Sequence, residues 1–150
     1  MTLEQQVTHY KNMVKTYRYD YLTGLKQRRD FEHETMKKLQ KGKEFYLTMY
    51  DVDGLHKLNR DKGYAAGDAL LTQIANDIRL TKDLWELYRV GGDEFMAIHF
   101  DQPRSSILGA TSATVHSYGY DTVCEMVSDA DTMVTDIKIS RGRRRNNVSE

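Results

Sequence analysis

Four acidic residues are spaced so that they could do chemistry together. Asp51 and Asp53 sit at the end of the apolar run EFYLTMYDV (residues 44–52), and Asp93 and Glu94 follow Gly91-Gly92 between two further apolar runs. Strand side chains alternate, so Asp51 and Asp53 would point to the same face. If the first run pairs beside the later two, Asp51 and Asp93 meet at one edge of a sheet. Clustered carboxylates repel one another unless something positive lies between them. A hard divalent cation answers that need, because Mg²⁺ prefers one or two carboxylates together with substrate phosphate oxygens. Two such ions about 3.5–4 Å apart can activate an attacking hydroxyl and stabilise a leaving pyrophosphate. An Asp-x-Asp alone is most often a solvated loop, and a Gly-Gly-Asp alone most often a turn. Their combination is the specific signal.

The elements that must position these residues follow from periodicity. Residues 1–18 carry Leu3, Val7, Tyr10, Val14 and Tyr17 on a heptad-like seam. Two heptads are too short to hold a coiled coil alone. The seam therefore reads either as a helix docked on its own domain or as a dimerisation stalk. A second helix is expected from about Arg28 to Leu39, stopped at Gly42. Residues 44–52 then form a central strand. Gly67-Asp68 is read as opening a helix whose apolar face is Leu70, Leu71, Ile74, Ala75 and Ile78. Strands follow at 84–90 and 94–100, with Gly91-Gly92-Asp93 as a hairpin in which glycine would supply positive φ. A strand at 112–118, a helix marked by Val123, Val127, Ala130, Val134 and Ile137, and a frayed tail complete the chain. The expected fold is α+β: a palm-like, ferredoxin-like antiparallel sheet flanked by helices. Its parts are an N-terminal helix (1–18), one domain (19–143) and a flexible basic and polar tail (144–150).

Composition narrows the function classes. The 150 residues hold 22 Lys+Arg and 22 Asp+Glu, so the chain is formally neutral, without the broad basic field of a nucleic-acid coat or membrane-surface binder. No apolar run approaches 18 residues and the start is polar, so a cytoplasmic protein without a membrane segment is expected. The single cysteine, Cys124, is read as a small buried hydrophobe. His33, His99 and His116 lack ligand spacing, which disfavours zinc.

With these residues in view, the sequence resembles the GGDEF diguanylate cyclases. Gly91-Gly92-Asp93-Glu94-Phe95, preceded by Arg89, is the full signature. Asp20-Tyr21-Leu22-Thr23-Gly24-Leu25-Lys26-Gln27-Arg28-Arg29 resembles the family's DxLTGLxNRR opening. Asp51-Val52-Asp53-Gly54-Leu55-His56-Lys57-Leu58-Asn59 and Gly63-Tyr64-Ala65-Ala66-Gly67-Asp68 follow its DxDxFKxxND and GHxxGD motifs without a gap. The resemblance implies a homodimer in which each domain holds one GTP and two GTP condense into cyclic di-GMP plus pyrophosphate. It makes Asp51, Asp93 and the Val52 carbonyl ligands of Mg²⁺ or Mn²⁺, two ions per site, with Glu94 helping at the metal or activating the 3′-hydroxyl. Gly91 and Gly92 would let phosphate or ribose approach, and Asn59 and Asp68 would read guanine, whose N1–H and N2–H₂ suit a carboxylate. Asp68 could instead merely cap its helix.

Departures from the pattern bear on the same site. His56 stands where the family has a phosphate-contacting Lys, with Lys57 beside it facing outward. Tyr64 replaces a His, and Gly54 is read as replacing an apolar wall residue. Few residues separate Phe100 from Ser112, so one helix of the family looks reduced to a turn around Pro103. In the last helix Ala130, Asp131 and Lys138 keep register, while Arg141 and Arg143 flank the expected arginine position. Lys138 with one of these arginines would bind the triphosphate, or else belong to a solvated basic tail. Lys82 and Trp85 occupy the positions of the RxxD product-inhibition pair, which is therefore expected to be absent. Besides a cyclase, the sequence leaves open an inactive nucleotide-binding module and a synthase of another cyclic nucleotide.

Overall fold

The structure is a computed structural model that describes residues 1–148, with side chains described through Gly142. In chain order its elements are α1 (Leu3–Arg18), α2 (Arg28–Gln40), β1 (Tyr46–Val52), α3 (Leu55–Lys62), α4 (Tyr64–Arg79), β2 (Leu84–Arg89), β3 (Glu94–His99), β4 (Ala110–His116) and α5 (Val123–Val148). The strands form one antiparallel sheet in the order β2-β3-β1-β4, which is the expected α+β palm. The expected tail at 144–150 lies outside the residues whose side chains are described.

β1 is apolar along its length because both of its faces are covered. Leu47 and Met49 face α2 and α5, with Phe31, Tyr88, Met96, Met126 and Val134. Tyr50 and Val52 face the opposite layer, with Leu55, Leu71, Ile74, Ile78 and Phe95. Phe45, Leu47, Tyr50, Tyr88 and Phe95 are fully enclosed, each contributing about 1.5–3 kcal/mol by leaving water. A central strand so fixed on both faces gives Asp51, at its end, a well-determined position.

Three local features differ from the sequence reading. A short helix, α3, follows β1, although Leu55 and Leu58 are its only apolar residues and give no detectable period. Gly63, at φ 86°, then turns the chain into α4, which begins at Tyr64. Asp68 accordingly lies inside a helix and caps nothing. Cys124 is exposed rather than buried, because Val123 and Met126 take the inward positions of α5.

No residue of α1 is buried. Leu3, Tyr10, Val14 and Tyr17 are all more than half exposed, so the seam is left open over its length. The link between β3 and β4 contains no helix; Ile107 alone folds back to plug the sheet face under α4.

Candidate active site

The sheet brings the acidic residues to one end. Asp51 on β1 lies directly across from Glu94 on β3 and, on its other side, from Thr111 on β4. Asp93 falls one place further, where its carbonyl accepts from the Val52 amide at 2.8 Å. The Asp53 amide donates to the Gly109 carbonyl at 2.9 Å. Burial, followed by the charges of Asp93 and Asp53, lifts the Asp51 carboxyl above its ordinary range even though Lys138 pulls it down. Burial, Asp93 and Asp51 lift Glu94 in the same way, opposed by Arg28 at 3.9 Å. Two neighbouring carboxyls held upward by repulsion and desolvation mark a place that favours added positive charge.

The glycines of the hairpin act differently from the expectation. Neither Gly91 nor Gly92 has positive φ. A β-carbon on Gly91 would lie 3.2 Å from Glu94 Oε2, so a side chain there would press on the Glu94 carboxylate. Gly92 has open space where its β-carbon would be, so a ligand can approach its backbone. Its carbonyl accepts from Arg89 Nη2 at 2.9 Å, while Arg89 Nη1 holds Asp20 at 2.9 Å.

Beside the hairpin lies a cleft of about 760 Å³ lined by Leu55, His56, Asn59, Arg60, Tyr64, Asp68, Leu71, Arg89, Gly92 and Asp93. It unites the sequence candidates Asn59, Asp68, His56, Gly92 and Asp93. Asn59 Oδ1 is buried without a hydrogen-bond partner. Leu55, not Gly54, supplies the apolar wall; Gly54 sits at φ 66° at the head of α3, with nothing near its β-carbon position. Arg60 escaped the sequence reading as a cleft residue, and only its place one turn after His56 could have shown it.

On the other side of Asp51, α5 presents cations. Lys138 Nζ lies 3.0 Å from Asp51 Oδ1 and 4.0 Å from Asp53 Oδ1. Arg141 Nη1 lies 3.8 Å from Asp53 Oδ2 and donates to Thr111 Oγ1 at 2.7 Å. Thr111 in turn donates to Asp53 Oδ1 at 2.7 Å. Thr111 carries no sequence signal, being one polar residue of an ordinary strand. Arg143 lies outside the residues whose side chains are described.

Residues 17–118 match the family model described as diguanylate cyclase, GGDEF domain. The chain belongs to the GGDEF family. It is 35% identical over 81 residues to the diguanylate cyclase VdcA of Vibrio cholerae, covering 53% of this chain and 24% of that protein. It is 31% identical over 97 residues to the uncharacterized membrane protein SH2145 of Staphylococcus haemolyticus, covering 61% and 26%. This GGDEF domain thus spans about a quarter of the length of the curated relatives it matches. In fold it is similar to the coiled coil and GGDEF domain of DgcB from Caulobacter crescentus in complex with c-di-GMP (TM-score 0.75, 17% identity, 92% and 89% of the two chains covered). It also resembles diguanylate cyclase SiaD in complex with its activator SiaC from Pseudomonas aeruginosa (TM-score 0.68, 22% identity, 91% and 65% covered). No described helix is long and apolar enough to cross a membrane.

At the positions of the family's RxxD pair, this GGDEF domain has a packed aromatic. The Trp85 ring stacks on Phe100 at 4.5 Å and 13°, with Lys38 Nζ 4.6 Å from its centroid. The donor set suits a hard cation: all its atoms are oxygens, and Asp51 Oδ1 is buried without a well-directed hydrogen bond. Among the described residues no three His, Cys, Asp or Glu side chains close into a cage. Mg²⁺ is usually held by one or two carboxylates with phosphate oxygens completing the shell, and Asp51 with Asp93 would fit that pattern.

Proposed function

We propose that this GGDEF domain condenses two GTP into cyclic di-GMP and pyrophosphate as a homodimer. One observation carries the reading: Asp51 and the Asp93-Glu94 hairpin converge beside a cleft that also holds Asn59 and Asp68. Asp51, Asp93 and the Val52 carbonyl would hold Mg²⁺ or Mn²⁺, two ions per site as in the family. Such cations supply charge neutralisation at the phosphates and acidify the attacking hydroxyl.

The chain's own residues do the rest. Asn59, with an unsatisfied buried oxygen, and Asp68 present acceptors to guanine N–H groups, which adenine lacks in that pairing. Gly92 keeps the hairpin backbone clear for phosphate and ribose. His56 and Arg60 face the same cleft, and Lys138 with Arg141 faces the acidic end from α5. In each half-reaction the 3′-oxygen of one GTP bonds to the α-phosphorus of the other, and the bond to the β-phosphate oxygen breaks to release pyrophosphate. Glu94, whose carboxyl is raised by burial, Asp93 and Asp51, would take the hydroxyl proton. Since one site holds one GTP, the partner nucleotide comes from a second copy. The open seam of α1 supports such pairing, as does the coiled coil that accompanies the similar DgcB domain. Without an RxxD pair, the product would not inhibit through that site.

The helix missing between β3 and β4 favours a second reading, a nucleotide-binding module without turnover. Incubating the protein with GTP, ATP or both and Mg²⁺ or Mn²⁺, then identifying products by mass, separates these readings and a synthase of another cyclic nucleotide. Pyrophosphate release with GTP that is lost in Asp93→Ala supports the cyclase. GTP binding with no turnover in either metal overturns it in favour of the module.

A further inference from the structure

The cations on α5 are engaged with carboxylates rather than extended into the cleft. Lys138 approaches Asp51 at 3.0 Å and leans toward Asp53 at 4.0 Å. One turn later, Arg141 is fastened to Thr111 and lies 3.8 Å from Asp53. Thr111 stands directly across from Asp51 in the β1–β4 ladder, so both contacts act on one end of the sheet. Thr111 and Arg141 set the pose of α5 there, and Lys138 meets the carboxylate that the proposed reaction assigns to the metal.

The contact is close but poorly directed, since Asp51 Oδ1 makes no well-formed hydrogen bond. It is a charge placed beside a charge, and Lys138 remains 39% exposed, free to swing away. A divalent cation at Asp51 and an ammonium at 3 Å from the same oxygen repel strongly in a partly desolvated setting.

We infer that Lys138 is an internal counter-ion of the cation site: it neutralises Asp51 in the metal-free protein and must leave when a divalent cation enters. The inference rests on the assignment of Asp51 as a metal ligand. Its consequence is an ordered exchange in which cation entry releases Lys138 toward the incoming phosphates. Unoccupied protein is then kept from binding metal tightly, and metal and nucleotide bind with positive coupling.

The test uses the full chain and Mn²⁺ alone, with free Mn²⁺ followed by electron paramagnetic resonance and no nucleotide present. Lys138→Met should bind Mn²⁺ about tenfold more tightly than the wild type, since a neighbouring unit charge has been removed. Lys57→Met, which removes an exposed charge on α3, should change the affinity less than twofold. Asp51→Asn should lose the binding. Equal or weaker binding by Lys138→Met, with Asp51→Asn still losing it, overturns the counter-ion role and leaves the metal assignment standing. No binding by wild type or Lys138→Met overturns both. As a second readout, Mg²⁺ titration should shift the Lys138 side-chain ammonium resonance; an unmoved resonance while Mg²⁺ binds would also overturn the inference.

Discussion

A β-carbon on Gly67 would lie 1.7 Å from Asn59 Oδ1. α3 and α4 approach each other so closely at this point that the Asn59 amide occupies the room a side chain on Gly67 would need. The glycine of the GHxxGD-like motif therefore sets the position of a cleft residue eight places earlier. Gly67→Ala gains up to about 1 kcal/mol of helix propensity and meets an overpacking cost of about 1–3 kcal/mol. Because the clashing atom ends a short side chain, Asn59 should move rather than the helices separate. We expect a net loss of no more than about 2 kcal/mol by urea denaturation, with GTP affinity reduced at least tenfold by calorimetry. Unchanged GTP affinity would disconnect Asn59 from the nucleotide.

Asp20 and Arg89 join the loop before α2 to the signature hairpin. Burial alone would raise the Asp20 carboxyl, but two hydrogen bonds from Thr23 and the Arg89 guanidinium outweigh it and the carboxyl ends lowered. A carboxyl lowered on folding stabilises the protein above its unfolded value, and that stability is lost as pH falls through the folded value. Arg89→Ala leaves Asp20 without its cation and Gly92 without its donor. A loss of about 1–3 kcal/mol is expected, nearer the lower figure because the pair still reaches solvent. The gap between the stabilities of wild type and variant should narrow as pH falls below about 3.9, the unfolded value; a gap that stays constant there would deny the ion pair its role.

His99 is fully enclosed at the end of β3. Thr81 Oγ1 donates to the Ile78 carbonyl at 2.6 Å, so it accepts from His99 Nε2 at 2.9 Å, leaving His99 Nδ1 buried and unpartnered. Burial lowers the imidazole below its usual value, against the pull of Asp83. The unfolded chain then binds the proton more readily, and stability falls as pH drops below about 6.5, the unfolded value. Wild type should have a lower urea midpoint at pH 5.5 than at pH 7.5, and His99→Leu should narrow the difference. An equal difference in both proteins would place the acid sensitivity elsewhere.

α1 buries none of its residues, so removing residues 1–18 should leave the thermal midpoint of the domain within 2–3 °C, the shift expected of well under 1 kcal/mol. If the open seam pairs two copies, the same truncation should lower turnover per chain and steepen its dependence on protein concentration. Unchanged concentration dependence would remove the seam from dimerisation.

Residue type and spacing determined much of this. The runs ending at Val52 and beginning at Glu94 were legible as strands because both faces of the sheet are buried, which writes continuous apolar sequence. Asn59, Asp68 and Asp93 were singled out because three motifs keep their order and separation, and Lys138 because the last helix keeps its register. The structure brings the first three to one cleft and Lys138 to Asp51. α3 was not legible, since an eight-residue helix with two leucines carries no period and is held by its neighbours. Cys124 misled because one apolar-looking residue on an amphipathic helix does not reveal which side of the stripe it occupies.

Only the tertiary structure decided which groups touch. Sequence separation says nothing about a lysine on α5 reaching an aspartate on β1, a threonine bridging Asp53 to Arg141, or a glycine yielding its volume to Asn59. Those contacts arise where helix packing angles and strand register meet. Local propensity sets the elements and their apolar faces; the distances between charges are fixed only when the elements close on a shared core.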